Sequence, residues 1–126
     1  MIAGIHHISM RCGTEPEFEK ARAFYLDLLG FKVKREWPEG IMLDTGSGYL
    51  EIFRNGAGIR GKGAIRHIAF LTDDVDEIAD NVRNAGYDVF VGPKDIVLRS
   101  DPEYHARMAF CVGPLGEEIE FFQERA

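Results

Sequence analysis

At 126 residues the chain is close to the usual size of one domain, roughly 100 to 150 residues, which excludes a multidomain machine. Hydrophobic residues make up 45% and charged residues 29%, an ordinary globular balance that supplies a core without disulfide or metal staples. Fifteen Lys and Arg against 21 Asp and Glu leave a net charge of −6. That is the wrong sign for gripping a phosphate backbone by counterion release, so nucleic acid is not an expected partner.

No run approaches the ~18 apolar residues of a membrane span. The N-terminal Met-Ile-Ala-Gly-Ile-His lacks the basic flank and apolar core of a signal peptide, so a cytoplasmic protein without membrane contact is expected. Cys12 and Cys111 lie in apolar stretches with no Cys-x-x-Cys spacing, which suits buried, reduced thiols.

In chain order, the first strand-like segment, Gly4-Ile5-His6-His7-Ile8-Ser9-Met10, returns in mid-chain as Ala64-Ile65-Arg66-His67-Ile68-Ala69-Phe70, an internal repeat. A helix follows the first copy. Thr14 and Glu17 make its capping box, Phe18, Ala21, Tyr25, Leu28 and Leu29 its apolar stripe, and Gly30 its stop. Strands are then expected at Phe31 to Trp37, Ile41 to Asp44 and Tyr49 to Arg54, with Pro38-Glu39-Gly40 and Gly46-Ser47-Gly48 as turns.

The second copy carries the same punctuation. Asp74 and Glu77 form the box, Val75, Ile78, Val82 and Ala85 the stripe, and Gly86 the stop. Strands are expected at Tyr87 to Val91, Arg107 to Val112 and Glu118 to Gln123, the last two joined by Gly113-Pro114-Leu115-Gly116. The chain thus reads as one α+β domain, residues 1–126, made of two tandem βαβββ modules, 1–55 and 64–126, joined by a Gly-rich connector, 56–63. The segment Asp95 to His105 reads as a lid or a surface loop.

Side chains alternate faces along a strand. Ile8 and Met10 therefore oppose His7, Ser9 and Arg11; Leu50 and Ile52 oppose Glu51; Ile68 and Phe70 oppose His67; Ile119 and Phe121 oppose Glu120. By the same parity His6, the rival of His7, falls on the helix side. Each module offers one His and one Glu on the face away from its helix, and a carboxylate in such apolar company needs a cation. Two imidazoles and two carboxylates suit zinc, nickel, cobalt or manganese.

The pattern resembles the vicinal oxygen chelate superfamily (glyoxalase, bleomycin resistance, dioxygenase), and within it bacterial glyoxalase I. The resemblance rests on Ile5-His6-His7-Ile8 and the helix ending Phe24-Tyr25-Leu26-Asp27-Leu28-Leu29-Gly30-Phe31. It rests also on Arg66-His67-Ile68-Ala69-Phe70 and on Gly113-Pro114-Leu115-Gly116-Glu117-Glu118-Ile119-Glu120, where Gly113 replaces the family's usual Asp. It implies that each module curls as a mixed sheet into half of a barrel with its helix outside.

The resemblance also implies one divalent metal per site, nickel or cobalt favoured and zinc possible, held by His7, Glu51, His67 and Glu120. Glu120 would act as base and Glu51 as its partner. Arg11, four after His7, and Asn55, four after Glu51, would hold a glutathione-like moiety. In the second module Lys94, Arg99 and Arg107 are the cations that could clamp a substrate anion, and Arg107 is carried as a substrate-binding residue. The implied activity is a lyase that isomerises the hemithioacetal of methylglyoxal and a small thiol, in a homodimer with shared sites. The alternatives are an epimerase, thiol transferase or dioxygenase of the same superfamily, or a metal-free small-molecule sequestration protein.

Overall fold

The computed structural model describes residues 1, 5–54, 67–98, 100 and 102–125. The chain divides into two compact units, Met1–Arg60 and Gly61–Ala126. In the first, β1 (His7–Arg11) leads into α1 (Glu15–Arg22), which continues as a π-helix, Ala23–Leu28, and then into β2 (Lys32–Trp37), β3 (Gly40–Asp44) and β4 (Tyr49–Phe53). The sheet order is β1-β4-β3-β2, with β1 parallel to β4 and the other pairs antiparallel. The second unit repeats the plan with β5 (Ile68–Leu71), α2 (Val75–Asn84), β6 (Val89–Leu98), β7 (Tyr104–Val112) and β8 (Glu118–Arg125), in the order β5-β8-β7-β6 with β5 parallel to β8. The expected α+β pair of βαβββ modules is present. The expected connector, 56–63, lies outside the described residues.

Local sequence explains the element ends. The Glu17 N–H donates to Thr14 Oγ1 at 3.3 Å, and the Glu17 carboxylate accepts from the Gly13 N–H at 2.7 Å. The Glu77 N–H likewise donates to Asp74 Oδ1 at 3.0 Å, so both helices begin on a side-chain cap. Gly30 and Gly86, at φ 78° and 95°, take the left-handed turn that ends each helix. The helices then bury one stripe. Phe18, Ala21, Phe24 and Tyr25 in the first unit are enclosed, as are Leu43, Leu50 and Ile52 of its sheet. In the second, Val75 and Ala79 of α2 cluster with Ala109 of β7, and Val89 packs against them.

Much of the segment Asp95 to His105, expected as a lid or a surface loop, is strand. β6 and β7 extend through it as a hairpin, with Asp95 opposite Arg107, Ile96 opposite Ala106, Val97 opposite His105 and Leu98 opposite Tyr104. Ile96 and Val97 are good strand formers, and Pro102 lies between the two strands. Arg107 fastens this hairpin to the helix: its Nε and Nη2 donate to Asp76 at 2.7 and 2.8 Å, and its Nη1 lies 3.3 Å from Asp95. The pairing holds the Asp76 carboxyl below its ordinary value.

The turn at Gly113 is built around a neighbour's carboxylate. The Leu115 N–H donates to Glu117 Oε1 at 2.7 Å, and a Cβ on residue 113 would run into that same carboxylate. Glycine therefore makes room for a cap supplied from the other side of the turn. Among the described residues no helix is long and apolar enough to cross a membrane.

Cys12 and Cys111 form no disulfide and are fully buried, and desolvation, aided by the negative charges of Glu117 and Asp88, pushes the Cys111 thiol up to about 12. Since only the thiolate is nucleophilic, the native protein at pH 8 should leave both cysteines unmodified by a thiol reagent, whereas in denaturant both should react. Native-state labelling at the denatured rate would contradict this burial.

Candidate functional site

Parallel pairing of an edge strand with the strand that carries the Glu brings a His to a carboxylate in each unit. Ser9 is the register partner of Glu51, and His7, two residues earlier, shares its face; His7 Nε2 lies 3.8 Å from Glu51 Oε1. Ala69 is the register partner of Glu120, and His67, again two residues earlier, places Nε2 3.3 Å from Glu120 Oε1. The offset is the same twice.

Glu51 and Glu120, 8% and 9% exposed, are the buried charged residues among those described, each set between fully or nearly fully buried neighbours, Leu50 and Ile52 or Ile119 and Phe121. Burial lifts the Glu120 carboxyl above its usual value, and the adjacent His67 acts the other way. His7 has a second support: its Nδ1 is 3.0 Å from Nδ1 of His6, one ring donating to the other, which leaves Nε2 toward Glu51. His6 does not fall cleanly on the helix side, because β1 begins at His7 and the alternation does not reach it. Its ring sits 5.1 Å from that of Tyr49 and 5.2 Å from that of His7.

The surroundings of the two carboxylates differ. Arg35 on β2 reaches Glu51, Nη2 to Oε2 at 3.5 Å, and lays its guanidinium over Trp37 at 4.0 Å. Trp37 is braced edge-on by Phe53 at 5.4 Å. Beside Glu120, His67 meets the edge of Phe110 at 5.1 Å, and Phe110 meets Phe90 at 5.8 Å. Arg35 was not a sequence candidate. A β-bulge between Val33 and Arg35 puts these two residues on opposite faces, and nothing in the local sequence announces it.

Of the other candidates, Arg11 ends β1 opposite Phe53, in phase with His7. Asn55 and Arg99 lie outside the described residues. Lys94 is exposed on β6 opposite Met108. Arg107, expected to clamp a substrate, is on the helix-bearing face with Gln123, whose Oε1 accepts from the Val75 N–H of α2, and its donors are committed to Asp76 and Asp95. Among the described residues no three His, Cys, Asp or Glu converge; each unit brings two donors together. One imidazole nitrogen beside one desolvated carboxylate is a donor pair that fits a divalent cation, and the charge buried at Glu120 is of the kind such a cation offsets.

Residues 4–121 match the Glyoxalase/Bleomycin resistance protein/Dioxygenase superfamily. The chain belongs to this superfamily. Its members typically bind a divalent metal and include enzymes such as lactoylglutathione lyase. Among curated proteins the chain is similar to YwkD of Bacillus subtilis (strain 168), an uncharacterized protein 25% identical over 98% of this chain and 99% of that one. Among solved structures it resembles TnmS3, an antibiotic binding protein from Streptomyces sp. CB03234, with TM-score 0.74, 23% identity and 98% of each chain covered. It also resembles the lactoylglutathione lyase of Agrobacterium tumefaciens, with TM-score 0.66, 18% identity and 98% and 95% covered. These two likenesses are of fold.

Because burial holds the Glu120 carboxyl above its ordinary 4.5, its ionised form opposes folding of the metal-free protein at neutral pH, and the opposition fades as acid protonates it. Glu120→Gln should therefore unfold at higher urea than wild type at pH 7 in the presence of chelator, with the gap closing as pH falls through the raised value toward 4.5 and absent below it. A variant less stable than wild type across the whole range would contradict the desolvation of this carboxylate.

Proposed function

We propose that this superfamily member is a metal-dependent, glyoxalase I-like lyase that converts the hemithioacetal of methylglyoxal and a small thiol to a thioester. The observation that carries the reading is the repetition: a buried Glu with a His at the same strand offset in both units, a set of two nitrogens and two carboxylates in all. In the proposal His7, Glu51, His67 and Glu120 together hold one divalent metal, in a cytoplasmic homodimer in which each site takes His7 and Glu51 from one chain and His67 and Glu120 from the other.

A divalent metal, if held by these four residues, would supply Lewis-acid polarisation of the substrate. Glu120 then removes the proton from the carbon, and its apolar setting suits that role, since burial raises its basicity toward working pH. Glu51 holds or returns a proton on the other side. His6 keeps the His7 ring oriented through Nδ1, the support commonly found behind a ligating imidazole. Arg11 and Asn55 are the proposed contacts to the thiol moiety.

A second reading, binding without chemistry, is favoured by the aromatic residues around His67 and by the shared fold of the Streptomyces antibiotic binding protein. Metal content separates the two. The lyase reading expects one metal per chain, lost in His67→Ala or Glu120→Ala, and best activity with nickel or cobalt. Assayed with a panel of thiols, metal-loaded Glu120→Gln should keep most of its metal while turnover falls ~100- to 10,000-fold. Activity that falls only in step with metal loss would leave Glu120 as a ligand without a catalytic part. Inactivity of the loaded wild type on every hemithioacetal would favour the epimerase, thiol-transferase or dioxygenase alternatives.

Shared sites have their own test. Inactive Glu51→Ala and inactive His67→Ala proteins, mixed under conditions of subunit exchange, should regenerate some intact sites and recover activity. Demonstrated exchange with no recovery would place all four donors of a site in one chain.

A further inference from the structure

The two units place different chemistry at the same structural position. In the first, a row of register partners crosses the sheet from Arg35 through Met42 and Glu51 to Ser9. In the second, the equivalent row runs from Val91 through Phe110 and Glu120 to Ala69. Both rows begin just after a bulge, Val33/Arg35 in β2 and Val89/Val91 in β6. The bulge pair is Lys34 and Arg35 in one unit and Phe90 and Val91 in the other.

Lys34 stands over the Tyr49 ring at 5.6 Å, and Arg35, which reaches Glu51, stands over the Trp37 ring at 4.0 Å, so an aromatic face orients each cation. Arg35 is not a committed ion pair. Its one contact to Glu51, 3.5 Å, is at the outer limit of a hydrogen bond, whereas Arg107 makes contacts of 2.7 and 2.8 Å to a single carboxylate, the bidentate form a satisfied guanidinium takes. The Arg35 side chain is 53% exposed, and among the described residues its other N–H groups have no acceptor. A guanidinium held over an indole face and half exposed still has donors to offer, and its planar fork suits a planar anion.

The geometry points to Arg35, with Lys34, as the receptor for an anionic group of the substrate, a carboxylate in the first instance, on the half of the site that carries His7 and Glu51. This rests on the metal-site reading above and adds the substrate class: a vicinal-oxygen compound bearing a second, negatively charged end. The Phe90 and Val91 position offers only apolar contact, so the anion's place is specific to one half.

The test compares two metal chelators that differ at one end, butyrohydroxamate and succinomonohydroxamate, which carry a methyl or a carboxylate at the same distance from the same chelating head. Binding to the metal-loaded protein is followed by fluorescence of Trp37, the chain's one tryptophan. Wild type should prefer the carboxylate-bearing probe by about 10- to 100-fold. Arg35→Met should abolish that preference with little change for butyrohydroxamate, Arg35→Lys should keep part of it, and Phe90→Ala should keep it in full. Equal affinity for both probes in wild type, or a preference that survives Arg35→Met, would overturn the assignment. If the protein takes up no metal, the metal-site reading falls, and the anion receptor is judged on glutarate with the metal-free protein. A saturable change in Trp37 fluorescence that disappears in Arg35→Met supports it, and no saturable change overturns it.

Discussion

Two carboxylates buried in the middle of apolar strands are the constraint around which each unit is arranged. Leu50 and Ile52 flank one and Ile119 and Phe121 the other, all with their side chains in the core beneath the helix, so β4 and β8 cannot be turned over to expose the Glu without exposing the core. A carboxylate fixed in such a position costs several kcal/mol unless something polar meets it. The something is a His on the neighbouring parallel strand, and parallel pairing needs a long crossover between the two strands, which the helix and two further strands supply.

This much is legible in the amino-acid sequence, for a physical reason. Alternation has a period of two, the core requires one face, and the repeat supplies two independent copies of the same pattern, so His7 with Glu51 and His67 with Glu120 could be placed on common faces before any coordinates. The helices were equally readable, because Thr14, Asp74, Gly30 and Gly86 act through backbone hydrogen bonds and positive φ within a few residues of themselves.

What was not legible depends on where alternation breaks or stops. The bulge at Val33/Arg35 inverts the phase of β2, so Arg35 faces Glu51 while Val33, two residues earlier, does not. His6 lies one residue before β1, where parity no longer applies. Arg107 looked available because it opened an expected strand directly after a long connection. Once β7 is seen to begin at Tyr104, Arg107 falls in phase with the buried Ala109 and Cys111, on the helix face, where Asp76 at the start of α2 claims it.

The repeat preserves geometry and lets chemistry diverge, and the divergence is ordered. Around Glu51 are His7 and Arg35, the latter held over the Trp37 ring. Around Glu120 are His67 and the phenyl rings of Phe110 and Phe90, an environment that withholds solvation from the charge and raises the carboxyl's affinity for a proton. One carboxylate lies beside a cationic donor and the other in an apolar setting, a difference that strand register alone does not impose and that the residues at the matching bulges, 34–35 and 90–91, do.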